Sequence, residues 1–274
     1  MNISVVIPTT GERDLNPTLK SLYNSHISIG EIIIVTLDIK KLQKHLFEFQ
    51  NLKLIKSKKK GQVKQRIEGF KLAKGDYVLQ LDDDIILDNK CIKLLYQELK
   101  NLPNASISPN VFDVKSKNSI FNKKYSLKQK VFNLISGLKS YNKEGKITIS
   151  GFESYPKINS NSDVLTETEW LIGGCVLHHR KNLILKNYYP FDGKAYSEDL
   201  FHSLELRKNK IKLFIHKEAS IFLEQNEIKT DWSTFKKELL DDLRVRKFFV
   251  SKYNLSFTRM YLIYFFRYIN FFLR

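Results

Sequence analysis

Three consecutive carboxylates, Asp82-Asp83-Asp84, directly follow the apolar run Tyr77-Val78-Leu79-Gln80-Leu81. Adjacent carboxylates repel one another, so such a cluster at the end of a buried strand costs stability unless a cation or hydrogen-bond donors compensate. Hard oxygen ligands of this kind suit Mg2+ or Mn2+, which keep positions open for phosphate oxygens. The alternative is an acidic turn leading into the next helix, a role Asp88 can also fill.

Two further segments could carry chemistry. In Gly61-Gln62-Val63-Lys64-Gln65-Arg66 a glycine and basic residues open a helix behind three lysines. Helix N-termini bind anions, and Arg66 could grip a phosphate with both arms of its guanidinium, although a solvated basic face would look the same. Ser197-Glu198-Asp199 opens another helix, where a serine cap and first-turn acids would complement the helix dipole even without catalysis.

The elements that must position these residues are legible in the first hundred. Ile3 to Ile7, Glu31 to Leu37, Leu52 to Ile55 and Tyr77 to Leu81 read as strands. Helical patterns fill the gaps: one capped by Asn16 ahead of Pro17, one carrying Val63, Ile67 and Phe70 and stopping at Gly75, one carrying Ile92, Leu95 and Leu99. Such alternation implies right-handed βαβ units and a mainly parallel sheet covered on both faces, an α/β fold that binds ligands at the carboxyl ends of its strands. From about Asn101 to Ser162 the pattern loosens into Asn, Ser and Lys-rich stretches, and it returns near Thr168.

In order and rough spacing, Pro8, Asp38, Arg66, the Asp triplet, Gly173-Gly174 and Glu198-Asp199 resemble the family 2 glycosyltransferases of GT-A (Rossmann-like) fold. The resemblance runs from about residue 2 to 225 and is carried by VVIPTT, QRIEGFKLAKGDYVLQLDDD, WLIGGCVLHHR and SEDLFHSLELR. It implies transfer of a sugar, with inversion, from a nucleotide-diphosphate donor, first of all a UDP-sugar, to a hydroxyl of a glycan or lipid-linked acceptor. It puts Pro8, Thr9, Asp38, Arg66, Asp82 and Asp83 on the donor side, with Asp38 on the nucleobase and Asp82 reaching the ribose. Asp84, with Asp82, becomes the ligand of a Mn2+ or Mg2+ cofactor. Trp170, Gly173, Gly174 and Glu198 fall on the acceptor side, and Asp199 becomes the general base. A histidine that many relatives carry after a late strand as a metal ligand has no match; His216 lies early and reads as structural, and Glu224 is a candidate substitute. His178-His179 reads as surface.

The implied organisation is a glycosyltransferase domain over residues 1–228, split into a nucleotide-binding half (1–100) and an acceptor half (101–228), followed by a helical tail (229–274). The chain of 274 residues carries 46 Lys and Arg against 29 Asp and Glu, a net charge of +17 that favours anionic partners. Its two cysteines, Cys91 and Cys175, have no metal or disulfide spacing, which fits a reducing compartment, and MNISVVIPTT lacks the features of a signal peptide. After Asp242 the sequence has no acid but many Phe, Tyr and basic residues. On a helix Arg259, Arg267, Asn270 and Arg274 gather in one polar arc opposite a wide aromatic face. That pattern predicts a cytoplasmic enzyme lying on an anionic inner membrane surface, or a tail packed on the domain or in a homo-oligomer. Competing readings are a sugar-phosphate nucleotidyltransferase and a non-catalytic basic module. A nucleic-acid partner is disfavoured, because the Asp triplet would repel phosphates without a metal.

Overall fold

Every residue of β1 (Ile3–Thr9) and β2 (Glu31–Thr36) is buried, as strands covered on both faces must be. β3 (Leu52–Lys56) and β4 (Tyr77–Leu81) complete a parallel set in which β1 lies between β2 and β4, with β3 outside β2. Parallel neighbours need crossovers. α1 (Asn16–Tyr23) links β1 to β2, and α3 (Gln62–Leu72) links β3 to β4, while α2 (Ile39–Leu42) is a single turn after β2. Val6, Ile33, Val35, Phe70, Ala73 and Val78 form a core cluster between α3 and the sheet.

This computed structural model describes residues 2–42, 50–122, 126–139, 143–192, 194–223 and 231–272. The chain divides into two compact units, Met1–Ile120 with Ile158–Gln225, and Phe121–Lys157 with Asn226–Arg274. The second unit thus joins residues 121–157 to the C-terminal helices.

In the first unit the sheet continues through β5 (Ile86–Leu87), β6 (Ala105–Asp113), β7 (Leu165–Thr168), β8 (Cys175–His179) and β9 (Lys212–Leu223), in the order β3-β2-β1-β4-β8-β6-β9-β5, with β7 also on β9. β8 runs antiparallel to β4 and β6, whereas β6 and β9 are parallel, so this half is mixed. α4 (Cys91–Leu99) and α6 (Glu198–Lys208) complete the unit, giving the α/β sheet with flanking helices. β8 is central, which overturns the surface reading of its histidines. His178 is fully buried with Nδ1 2.8 Å from Ser106 Oγ, and His179 Nε2 lies 2.9 Å from the Leu99 carbonyl.

Local signals were partly displaced. Asn16 is already helical and does not cap α1; its own N–H is bonded by Asp14 at 3.0 Å. α3 ends at Leu72, and Gly75 is needed for close approach instead: a Cβ there would stand 2.6 Å from the Ser4 nitrogen.

The second unit packs α5 (Leu127–Ser136), α7 (Trp232–Lys252) and α8 (Phe257–Phe272) around Phe152, Val250, Met260, Ile263 and Tyr264. α5 is capped by Ser126, which accepts from Gln129 N–H at 3.2 Å, and stops at the left-handed Gly137. The polar arc of α8 turns inward. Arg267 pairs with the buried Asp242 of α7, and Arg259 donates to the Leu134 and Ile135 carbonyls at the end of α5, at 3.1 and 2.9 Å. Arg274 lies outside the described residues.

Candidate active site

The carboxyl ends of β1 and β4 open onto a cleft of about 490 Å3 lined by Pro8, Thr9, Arg13, Gln62 and the three aspartates, among others. The three aspartates have separate surroundings. Asp83 accepts from Thr9 Oγ1, and its carbonyl accepts from Thr18 Oγ1 at 3.2 Å, which ties the turn to β1 and α1. Asp84, the most exposed, pairs with Arg13. Asp82 Oδ1 accepts from Gln62 Nε2 at 2.9 Å and from Arg66 Nη2 at 3.1 Å. Burial raises the Asp82 carboxyl, partly offset by Arg66.

Arg66 is placed differently from the expectation. None of its surface is exposed, so it does not face a phosphate. Nη1 donates to Glu198 Oε1 at 2.6 Å, while Tyr188 OH donates to Glu198 Oε2 at 3.1 Å. Glu198 is thus committed to a buried pair and is not open to an acceptor. Beneath it His202 stacks on Tyr188 at 5.0 Å, and burial holds its imidazole neutral, with a pKa lowered to about 3.

Beside this pair stands Asp199, half-buried in the first turn of α6. Burial, then the charge of Glu198, push its carboxyl well above the usual range, against the opposing Gly173 N–H and Arg66. The turn is built tightly: a Cβ on Gly173 would stand 2.3 Å from Asp199 Oδ1, and one on Gly174 would stand 2.7 Å from Ile85 Cδ1. Gln80, buried in β4, donates to the Gly173 carbonyl and fixes the turn against the sheet. Ser197 does not cap α6 with its side chain. It holds a left-handed φ of 57°, a strained conformation for a residue with a Cβ, immediately before the two acids.

Other expected residues lie elsewhere. Asp38 accepts from Lys40 N–H at 3.1 Å at the start of α2, and Leu37 rather than Asp38 lines the cleft. Trp170, expected on the acceptor side, is buried with 4% of its surface exposed and packs in the core. His216 Nδ1 accepts from the Glu218 and Ala219 N–H groups at 3.1 Å, a structural use inside β9. Glu224 lies outside the described residues. Arg13, Gln62, Gln65 and Tyr188 were not singled out from sequence. Gln65 Nε2 bridges the Thr9 and Val35 carbonyls at 2.9 Å, closing the ends of β1 and β2. Arg13 lies two residues after Gly11, and Gln62 and Gln65 follow Gly61, whereas nothing in the sequence marks Tyr188.

Among the described residues no three His, Cys, Asp or Glu side chains converge as a closed metal cage. Asp82 and Asp84 nevertheless fit Mg2+ or Mn2+, which take one or two carboxylates and complete their shell with water and phosphate oxygens.

The chain matches the family model described as "Glycosyl transferase family 2" over residues 4–157. No curated protein matches it. Among solved structures, GalNAc-T7 with UDP, GalNAc and Mn2+ superposes with a TM-score of 0.63 at 14% identity, covering 82% of this chain and 44% of that one. TarS 1-349 of S. aureus in complex with UDP-GlcNAc gives 0.56 at 15% identity, covering 92% and 66%. The same TarS fragment without a named ligand gives 0.52 at 14%, covering 91% and 65%. The chain thus spans under half of the GalNAc-T7 structure and just under two thirds of the TarS fragment, and at these identities the likeness establishes the fold alone.

Proposed function

Because the chain belongs to glycosyl transferase family 2 it is a glycosyltransferase, and we propose that it moves a sugar from a UDP-sugar to a hydroxyl of a glycan or glycolipid with inversion. The observation that carries this reading is the contrast between two sets of carboxylates at one site. Asp84 in the cleft is exposed and paired to the exposed Arg13, as a partner of cation and phosphate should be. Asp199 is half-buried and raised, as a proton acceptor should be. The bound UDP, UDP-GlcNAc and Mn2+ named for GalNAc-T7 and TarS support the donor class and the use of a divalent cation.

The chemistry follows from these assignments. The acceptor hydroxyl gives its proton to Asp199 as its oxygen bonds to the anomeric carbon. The bond from that carbon to the phosphate oxygen breaks, and the nucleoside diphosphate leaves with the electron pair. One displacement from the opposite face inverts the configuration. A divalent cation held by Asp82 and Asp84 would supply charge to the departing diphosphate. Arg66 serves this centre indirectly: it holds Asp82 and Glu198 together, and so sets the spacing between the donor-side turn and the first turn of α6.

The test is a panel of nucleotide sugars with Mn2+, reading acceptor-dependent nucleotide release with and without chelator. Release from a UDP-sugar that the chelator removes is the expected result. Turnover of no nucleoside diphosphate sugar, with nucleotide triphosphate consumed on a sugar phosphate instead, would replace the reading with nucleotidyl transfer.

A further inference from the structure

The outer face of α8 is apolar along its whole length. Tyr261, Leu262, Phe265, Tyr268, Ile269 and Phe272 recur at helical spacing, and Phe265 has 62% of its surface in solvent. Met260, Ile263 and Tyr264 fill the opposite, buried face. Because Arg259 and Arg267 are spent on the α5 carbonyls and on Asp242, no charged side chain interrupts the exposed stripe among the described residues. Trp232 of α7 extends it, with ring centroids 5.7 Å from Tyr268 and 5.1 Å from Phe272. Over 16 residues the stripe is about 24 Å long, too large an apolar strip to leave in water without a partner.

Charge identifies that partner. Residues 121–157 and 226–274 carry 18 Lys and Arg against 7 Asp and Glu, which is 11 of the chain's 17 net positive charges. Exposed Lys247 lies over the Tyr261 ring at 5.4 Å, at the margin of the stripe, and α7 also exposes Lys236, Lys237, Arg244 and Lys252. Aromatic and aliphatic residues in a line with a cationic border match the boundary between anionic headgroups and acyl chains. A second copy of the chain would bring like charges together, and the interleaved Leu262 and Ile269 offer nothing to a stacked base. No described helix is long and apolar enough to cross a membrane. We infer that α8, with the first turn of α7, docks this protein in the plane of an anionic bilayer surface, whichever sugar it transfers.

The experiment uses the full chain and vesicles of equal parts phosphatidylcholine and phosphatidylglycerol, with phosphatidylcholine alone as the control. The chain should sediment with the anionic vesicles at low salt and partly release at high salt. Its tryptophan emission should shift to the blue, reporting Trp232, since Trp170 is buried already. Leu262→Ser combined with Phe265→Ser should lower partitioning about tenfold or more with unchanged thermal melting, because both side chains are exposed. Four results would overturn the inference: an intact chain that ignores anionic vesicles without a Trp232 shift, a variant that binds vesicles as well as the parent, a concentration-dependent dimer that the variant abolishes, or an emission shift with single-stranded DNA but not with lipid.

Discussion

Arg66 donates to Glu198 at 2.6 Å from a side chain with no exposed surface, joining α3 to α6 across 132 residues of sequence. Removing one partner of such a pair leaves a buried charge uncompensated. Arg66→Met is therefore expected to lower stability by about 3–5 kcal/mol, read as a fall in the denaturant midpoint. Adding Glu198→Leu should restore part of the loss, since it removes the unpaired buried carboxylate while Asp82 and Tyr188 still lose their partners. A single variant as stable as the parent would show that the pair does not hold the two helices.

The raised Asp199 carboxyl has consequences for activity and stability with opposite signs. As a base it must be ionised, so the acid limb of kcat/KM should lie well above the usual aspartate value of about 3.9. Asp199→Asn should cut turnover by roughly 10²-fold or more while nucleotide affinity stays near normal. A folded pKa above the unfolded one means that the stability from the protonated carboxyl is fully present below about pH 3.9 and is lost as pH rises through the folded value. The asparagine variant should therefore melt above the parent at neutral pH, with the gap closing in acid. An unshifted acid limb, or full turnover in the variant, would remove Asp199 from the mechanism.

How much of this was legible follows from where each signal resides. The four early strands stand within about two residues of their sequence-based limits, because β1, β2 and β4 are buried, largely apolar runs and β3 alternates apolar residues with lysines. β6 was invisible in Ala105–Asp113, where Ser106, Ser108 and Asn110 are buried yet polar and Pro109 sits in a central strand. The structure accommodates them through partners distant in sequence: Ser106 bonds His178, Asn110 bonds the Lys217 carbonyl at 3.2 Å, and the ladder to β9 shifts register between Pro109 and Asn110. The same limit explains Arg66. Its charge was visible in the sequence, but its burial depends on Glu198 and Tyr188, which only the fold brings to it. Periodicity placed an apolar face on α8 but could not say that its arginines would be used inside the unit.

Arg13 pairs with the carboxylate of Asp84. The proposed cation site thus has a built-in competitor. Asp84→Asn should abolish Mn2+-dependent UDP binding in calorimetry, because Asp82, already bonded by Arg66 and Gln62, would be left as the one charged ligand of the proposed pair. Arg13→Ala should instead strengthen Mn2+ binding measured without nucleotide, by a modest factor given that the pair is solvent-exposed. Metal-dependent UDP affinity that survives Asp84→Asn would move the cation elsewhere.

The adjacent glycines Gly173 and Gly174 differ in what a methyl group would strike, and that difference separates catalysis from packing. Neither has a positive φ, so alanine is allowed by the backbone at both positions. At Gly173 the new Cβ would lie 2.3 Å from Asp199 Oδ1 and 2.9 Å from Glu198 Oε1. Glu198 is pinned by Arg66 and Tyr188, so the displacement falls on Asp199, which also loses its fit to the Gly173 N–H. At Gly174 the Cβ would meet the methyl end of Ile85 at 2.7 Å, a core side chain, and stand 3.5 Å from Asp82, which is ordinary contact. Gly173→Ala should therefore lower kcat by about 10²-fold with UDP affinity nearly unchanged, as misplacing a catalytic group by an ångström does. Gly174→Ala should mainly lower the melting temperature, at a cost of about 1–3 kcal/mol for overpacking. Side-by-side kcat, UDP affinity and melting curves decide the matter, and equal losses of kcat in the two variants would mean that the turn, rather than the position of Asp199, is what catalysis requires.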